Sequence, residues 1–200
     1  MLDLAKGKEN SAPELRVWEV SDPKRLTDLI RTAFTDPDEL AQYRRCIRYL
    51  KRWRDVQFRN GGAPLSIALT VASREWFQPN FSTVGKPLDL LALLDWTNAM
   101  LSRFESVFTI EDGLYSRLKI QLPVTPYGDL MERMTKGQME NFHERLQALR
   151  DALDAAESED LPEDACKILN KQFGDDFKVP EKAQTAKAVT APVINTGSSA

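Results

Sequence analysis

Arg44, Arg48, Lys51 and Asp55 recur at i, i+4, i+7 and i+11 within "RRCIRYLKRWRD", residues 44–55. On a helix this spacing makes one stripe of three cations and a carboxylate. Arg45, Arg52 and Arg54 flank the stripe, while an apolar line through Cys46, Leu50 and Trp53, with Ile47 beside it, falls on another side. The segment therefore predicts a helix with one buried face and one basic face. Two chemistries are open to the basic face. It can be a solvated surface with a Lys51–Asp55 pair contributing roughly a few tenths of a kcal/mol. It can also hold an anion, and the next segment favours that. Gly61 and Gly62 permit a sharp turn, Pro64 precedes a helix start, and Ser66 stands where an N-cap belongs. A helix N-terminus carries unpaired N–H groups and partial positive charge, which suit phosphate. Lys51 beside that terminus, with the Ser66 hydroxyl as donor, would make a triphosphate clamp. A plain N-cap is the other reading of Ser66.

Other reactive residue types are sparse. His143 is the single histidine and follows Phe142 on a helix. It reads as a packing or solvated residue, because a lone histidine has no mapped partner for nucleophilic catalysis. Cys46 and Cys166 fit no metal or redox spacing and read as reduced, buried thiols. The acidic run "ESEDLPED" lacks metal-ligand periodicity and reads as a loop between helices. Trp18, Trp53, Trp76 and Trp96 lie on or beside apolar helix faces and are expected in the core.

These residues need a scaffold, and 200 residues can bury one sizeable core. The net charge of −3 gives no general attraction to nucleic acid, so no nucleic-acid partner is expected. No run approaches the roughly 18–20 apolar residues that span a bilayer. The first fifteen residues lack the apolar core of a signal peptide. A soluble, cytoplasmic protein is the expectation, with no membrane partner.

The pattern predicts a mainly α fold with a small β-hairpin. "SDPKRLTDLI" and "TDPDEL" both place a capping residue before proline at a helix start. "LSIALTVASREWF" carries Leu65, Leu69, Ala72 and Trp76 at helical spacing, and "LDLLALLDWTNAMLSRFESVF" reads as one long apolar helix. "YSRLKIQLPV" alternates with period two and predicts a strand paired with "SVFTIEDG" through a turn at Asp112-Gly113. Two helical segments are expected in 127–156, with Phe142, Leu146, Leu149 and Leu153 inward. A last helix should end at Gly174. The expectation is about seven helices in a domain from 18 to 180, after a polar, mobile lead-in at 1–17. Residues 181–200 lose their large apolar side chains and read as a disordered tail.

Four segments in order, "RYLKRWRD", "GGAPLSIALT", "LPVTPYGDLMERMT" and "ACKILNKQFGDDF", resemble the C-terminal helical half of the cGAS/DncV-like nucleotidyltransferases. These are the bacterial cyclic-oligonucleotide synthases of CBASS antiphage defence. "WEVSDPK" resembles the opening of that half, so the likeness covers residue 18 to about 180. It implies a poly(A)-polymerase/OAS-like helical lobe that holds ATP and GTP against a catalytic lobe. It places the family's triphosphate-binding lysine and serine on Lys51 and Ser66. Asp112 and Asp129 are the nearest matches for an acidic residue that reads a nucleobase in some members.

The family also needs a Gly-Ser turn, an Asp-x-Asp pair and a third aspartate, which hold two Mg²⁺ ions. That context is not found here, so the resemblance implies a catalytic lobe upstream that carries the metals. The chain is then expected to be inactive alone, as a truncated product or one subunit of a split enzyme. A non-catalytic remnant or interaction module that binds nucleotide or a partner is the alternative. The tail, ending in Ala200, matches members whose last small residue is attached to other molecules by an E1/E2-like ligase. A tail of this kind would also suit a HORMA-type regulator.

Overall fold

Asp22 and Asp36 start the first two helices by the same device. Asp22 Oδ1 accepts from the Arg25 N–H at 3.0 Å, and Pro23 opens α1, Pro23–Arg31. Asp36 Oδ1 accepts from the N–H groups of Asp38 and Glu39, and Pro37 opens α2, Pro37–Gln57. The computed structural model describes residues 2–6, 17–175 and 177. Beyond α2 come α3, Ser66–Trp76; α4, Asp89–Leu101; α5, Lys136–Glu157; and α6, Pro162–Phe173. Among the described residues the helices number six rather than about seven. No helix among them is long and apolar enough to cross a membrane.

The core forms where α2 packs on α3, α4 and α6 and where α5 packs on α4 and α6. Trp53 is fully buried, with its ring against Phe58 at 5.7 Å and Phe142 at 6.4 Å. Its indole N–H donates to Gln172 Oε1, so the ring keeps its polar edge satisfied while its apolar body is buried. A second aromatic group joins Tyr43, Phe77 and Trp96, with Phe77 edge-on to Trp96 at 5.8 Å. Phe142, Leu146, Leu149 and Leu153 of α5 all face inward, as their spacing predicts. Thr135 and Gln138 form a reciprocal capping box at the start of that helix. Gly174, with φ of 77°, ends α6. Trp76 is only half-buried, under the Arg103 guanidinium, and the Trp18 side chain lies outside the described residues.

Strands appear in two hairpins. β1, Leu2–Lys6, pairs antiparallel with β2, Val17–Ser21. The lead-in expected to be mobile thus contains a strand, paired residue by residue with Val17–Ser21. β3, Glu105–Thr109, pairs with β4, Gly113–Arg117, with Val107 opposite Tyr115 and Phe108 opposite Leu114. Tyr115 turns inward, but Phe108, Ile110 and Leu114 are 72%, 98% and 68% exposed.

Two expected helices are revised. α4 stops at Leu101, where the Ser102 hydroxyl donates back to the Ala99 carbonyl and the chain turns into β3. Between 127 and 156 only α5 is helical, and residues 130–133 form turns, with Asp129 Oδ1 accepting from the Met131 N–H.

Candidate functional site

The six basic residues of 44–54 divide sharply. Arg45 grips Asp89 with two parallel bonds, Nε to Oδ2 at 2.6 Å and Nη2 to Oδ1 at 2.9 Å. Arg52 Nε donates to the Phe173 carbonyl at 2.9 Å. Arg54 Nε donates to the Pro64 carbonyl at 2.6 Å, while its Nη1 lies 2.6 Å from Asp55 Oδ1. These three arginines hold α2 to α4, to α6 and to the entry of α3. The predicted Lys51–Asp55 pair is not formed. The guanidinium of Arg54 is adjacent to Asp55 and takes its carboxylate.

Lys51 forms no ion pair among the described residues. It is half-buried, and burial holds its ammonium below the ordinary value; the Arg54 charge pushes the same way and Asp55 opposes. A partly desolvated cation with no carboxylate partner favours an incoming anion.

Ser66 is the first residue of α3 and not its N-cap. Leu65 takes the cap position in an extended conformation, with no side-chain hydrogen bond to the helix end. The N–H groups of Ala68 and Leu69 turn back to the Leu65 carbonyl, and Thr70 Oγ1 donates to the Ser66 carbonyl. Ser66 is half-buried at this uncapped terminus. Arg54, three residues after Lys51, is bonded to Pro64, two residues before Ser66. The structure therefore brings the two predicted phosphate residues to adjoining elements.

The start of α5 organises the other candidates. Gly62, with φ of 72°, lies under Gln138; a Cβ there would be 3.3 Å from Gln138 Cγ. Lys136 Nζ donates to the Asp112 carbonyl at 2.8 Å, tying the β3–β4 turn to the same helix end. The Asp112 residue is exposed, and its N–H donates to Thr109 Oγ1. Asp129 is committed inside the fold. Its Oδ1 accepts from the N–H groups of Ile120 and Met131 at 3.1 and 3.0 Å, and Oδ2 faces Arg117 at 3.5 Å. Asp112 thus offers an available carboxylate, whereas Asp129 holds a turn. Ala200 lies outside the described residues.

His143 packs its ring, tilted by 50°, against Phe104 with centroids 4.4 Å apart. Cys46 is fully buried against the Asp89 carbonyl, and burial pushes its thiol up to about 12. Cys166 is only partly buried, contrary to expectation, because α6 turns it toward its outer face. Among the described residues no group of three or more His, Cys, Asp or Glu is placed to hold a metal. Sequence reasoning named Arg54 only as a residue flanking the stripe and did not foresee its bond to Pro64. It also overlooked Gln138, which the structure shows in a capping box with Thr135.

No protein-family model matches the sequence. Solved structures do share the fold. Escherichia coli DncV in its 3'-deoxy GTP bound form superposes at a TM-score of 0.60 and 23% identity, over 86% of this chain and 42% of that one. Vibrio cholerae DncV cyclic AMP-GMP synthase with the linear intermediate 5' pppA(3',5')pG gives 0.59 and 22%, over 88% and 43%. The same synthase with nonhydrolyzable GTP gives 0.61 and 24%, over 90% and 45%. The chain spans less than half the length of these DncV chains. Its mainly helical fold with a hairpin is that of part of a DncV-type nucleotidyltransferase.

Proposed function

We propose that this chain is the helical, substrate-holding part of a cGAS/DncV-like nucleotidyltransferase that makes a cyclic di- or oligonucleotide from ATP and GTP. The observation that supports this reading is the Arg54–Pro64 bond, which ties the helix carrying the half-buried Lys51 to the entry of α3, whose cap residue makes no side-chain hydrogen bond. The DncV structures of the same fold, solved with GTP-like ligands and a linear dinucleotide, support it.

In phosphoryl transfer the protein contributes mainly position and charge. Lys51 offsets the negative charge of a triphosphate. The free N–H groups of α3 and the Ser66 hydroxyl donate to its oxygens and fix its orientation. Asp112 presents a carboxylate from the hairpin tip that can accept from a base N–H. The described residues do not form a Mg²⁺ site, so no step is assigned to metal on this chain. In this reading the metal-binding aspartates belong to a separate catalytic lobe, and the product serves CBASS antiphage signalling in the cytoplasm. The tail ending at Ala200 would take the ligase or HORMA-type regulator.

The test is synthesis with the catalytic lobe supplied. Lys51→Glu should abolish cyclic product from ATP and GTP, and wild-type-like output from that variant would sink the clamp. Tripolyphosphate titrated into the chain alone should bind, and Lys51→Glu should lose that binding.

A further inference from the structure

Along the outer face of α2, Arg44, Arg48 and Lys51 stand in line, and Asp55 is the one acid that shares their stripe. That acid is already engaged, because Arg54 Nη1 donates to its Oδ1 at 2.6 Å. Arg45, nine residues before Arg54 and so half a turn around the helix, holds Asp89 on the opposite flank. Arg44 and Arg48 are exposed and form no ion pair or side-chain hydrogen bond among the described residues. Arg45, Arg52 and Arg54 fasten α2 to its neighbours, so packing accounts for them and not for Arg44 and Arg48. At 1.5 Å per residue these two begin about 10.5 Å and about 4.5 Å before Lys51 along the axis. The result is a row of unneutralised cations that ends at the half-buried lysine.

We infer that Arg44 and Arg48 form an electrostatic approach path, which draws a small polyphosphate anion along α2 to Lys51 and does not touch it once bound. A row of cations leading to a site raises the local concentration of an anion and its association rate, and acts on dissociation far less. The net charge of −3 gives the row its importance, because the chain as a whole repels an anion. The reach of each charge depends on salt: the screening length is roughly 30 Å at 0.01 M and roughly 8 Å at 0.15 M. Arg48 starts within the shorter length of Lys51, and Arg44 starts beyond it. This inference rests on the phosphate reading of Lys51 and Ser66, and it adds how the anion arrives.

The test measures rates as well as affinity. Tripolyphosphate is titrated into the full chain at ionic strengths of about 0.01 M and about 0.15 M, and line shapes of the Ser66 amide resonance give kon and koff. Arg44→Gln and Arg48→Gln each remove one charge at an exposed position. At the lower ionic strength each should slow kon about threefold, and both together about tenfold, with koff changed by less than about twofold. At the higher one only Arg48→Gln should still slow it. Arg48→Lys, which keeps the charge and loses the guanidinium fork, should retain the wild-type kon. A koff that rises in either glutamine variant overturns the inference, because it makes that arginine a contact of the bound anion. A kon that ignores both substitutions at low salt overturns it too. Tripolyphosphate binding that is nonetheless lost in Lys51→Glu then leaves the phosphate reading standing. No binding by the wild type, or equal binding by Lys51→Glu, overturns the phosphate reading and the approach path with it.

Discussion

Arg54 Nε lies 2.6 Å from the Pro64 carbonyl oxygen, a bond that fixes the helix of Lys51 against the turn leading to Ser66. The arginine spans two elements that neither phosphate candidate could align by itself. Arg54→Ala should therefore weaken tripolyphosphate binding by about tenfold, because a charge-assisted bond of this kind contributes roughly 1.5–3 kcal/mol and part of it maintains the alignment. Calorimetry on the isolated chain checks the affinity. Thermal melting should show a decrease of only a few degrees, and a collapse of the fold would count against a local role.

Lys51 gives the binding a pH signature. Burial holds its pKa below the ordinary 10.5, so the folded chain loses this proton before an unfolded chain would. Anion affinity should fall as pH rises through the lowered value, before 10.5 is reached. Stability moves the other way across the same window, because the unfolded chain binds more protons there. Lys51→Arg should keep affinity flat through that range. An alkaline titration of tripolyphosphate binding in both proteins decides the matter.

The Arg45–Asp89 pair supports the other end of the same helix. Burial raises the Asp89 carboxyl, but bonds from Arg45 and Gln42 outweigh it and hold the pKa below 3.8. A depressed carboxylate stabilises the fold above its unfolded pKa, and the effect is lost as pH falls through the folded value. The pair is partly exposed, at 30% and 23%, so solvent screening limits it to about 1 kcal/mol. Asp89→Asn should lower the melting temperature by about 2–4 °C at neutral pH. The difference from wild type should close below pH 3.8.

The two cysteines should separate in reactivity. Cys46 is fully buried with its thiol pushed up to about 12, while Cys166 is partly exposed. A thiol reagent at neutral pH should modify Cys166 first, and Cys46 only after denaturation. Prompt modification of both in the folded chain would contradict the packing around Cys46.

Much of this arrangement is legible from local pattern. Asp22-Pro23 and Asp36-Pro37 announce their helices because cap and proline act within four residues. Phe142, Leu146, Leu149 and Leu153 declare the inner face of α5 because burial follows the helical period. The failures occur where a distant partner decides. Asp55 is taken by Arg54, which is itself turned by Pro64, and no helical spacing rule contains that third residue. Leu101 ends α4 because strand pairing with Gly113–Arg117 competes for the residues that follow. The arginines of 44–54 looked alike in sequence. Only packing shows that Arg45, Arg52 and Arg54 are fastenings and that Lys51 carries a charge without a carboxylate partner.

The outer face of the β3–β4 ribbon has a practical consequence for handling the molecule. Phe108 and Leu114 sit directly across from each other, and Ile110 at the bend is almost wholly in water. Contiguous exposed apolar surface promotes contact between copies as concentration rises. Sample preparation should therefore be limited by this ribbon and not by the basic helix. A charged residue in place of Ile110 would improve shelf life while leaving Lys51 and Ser66 unchanged.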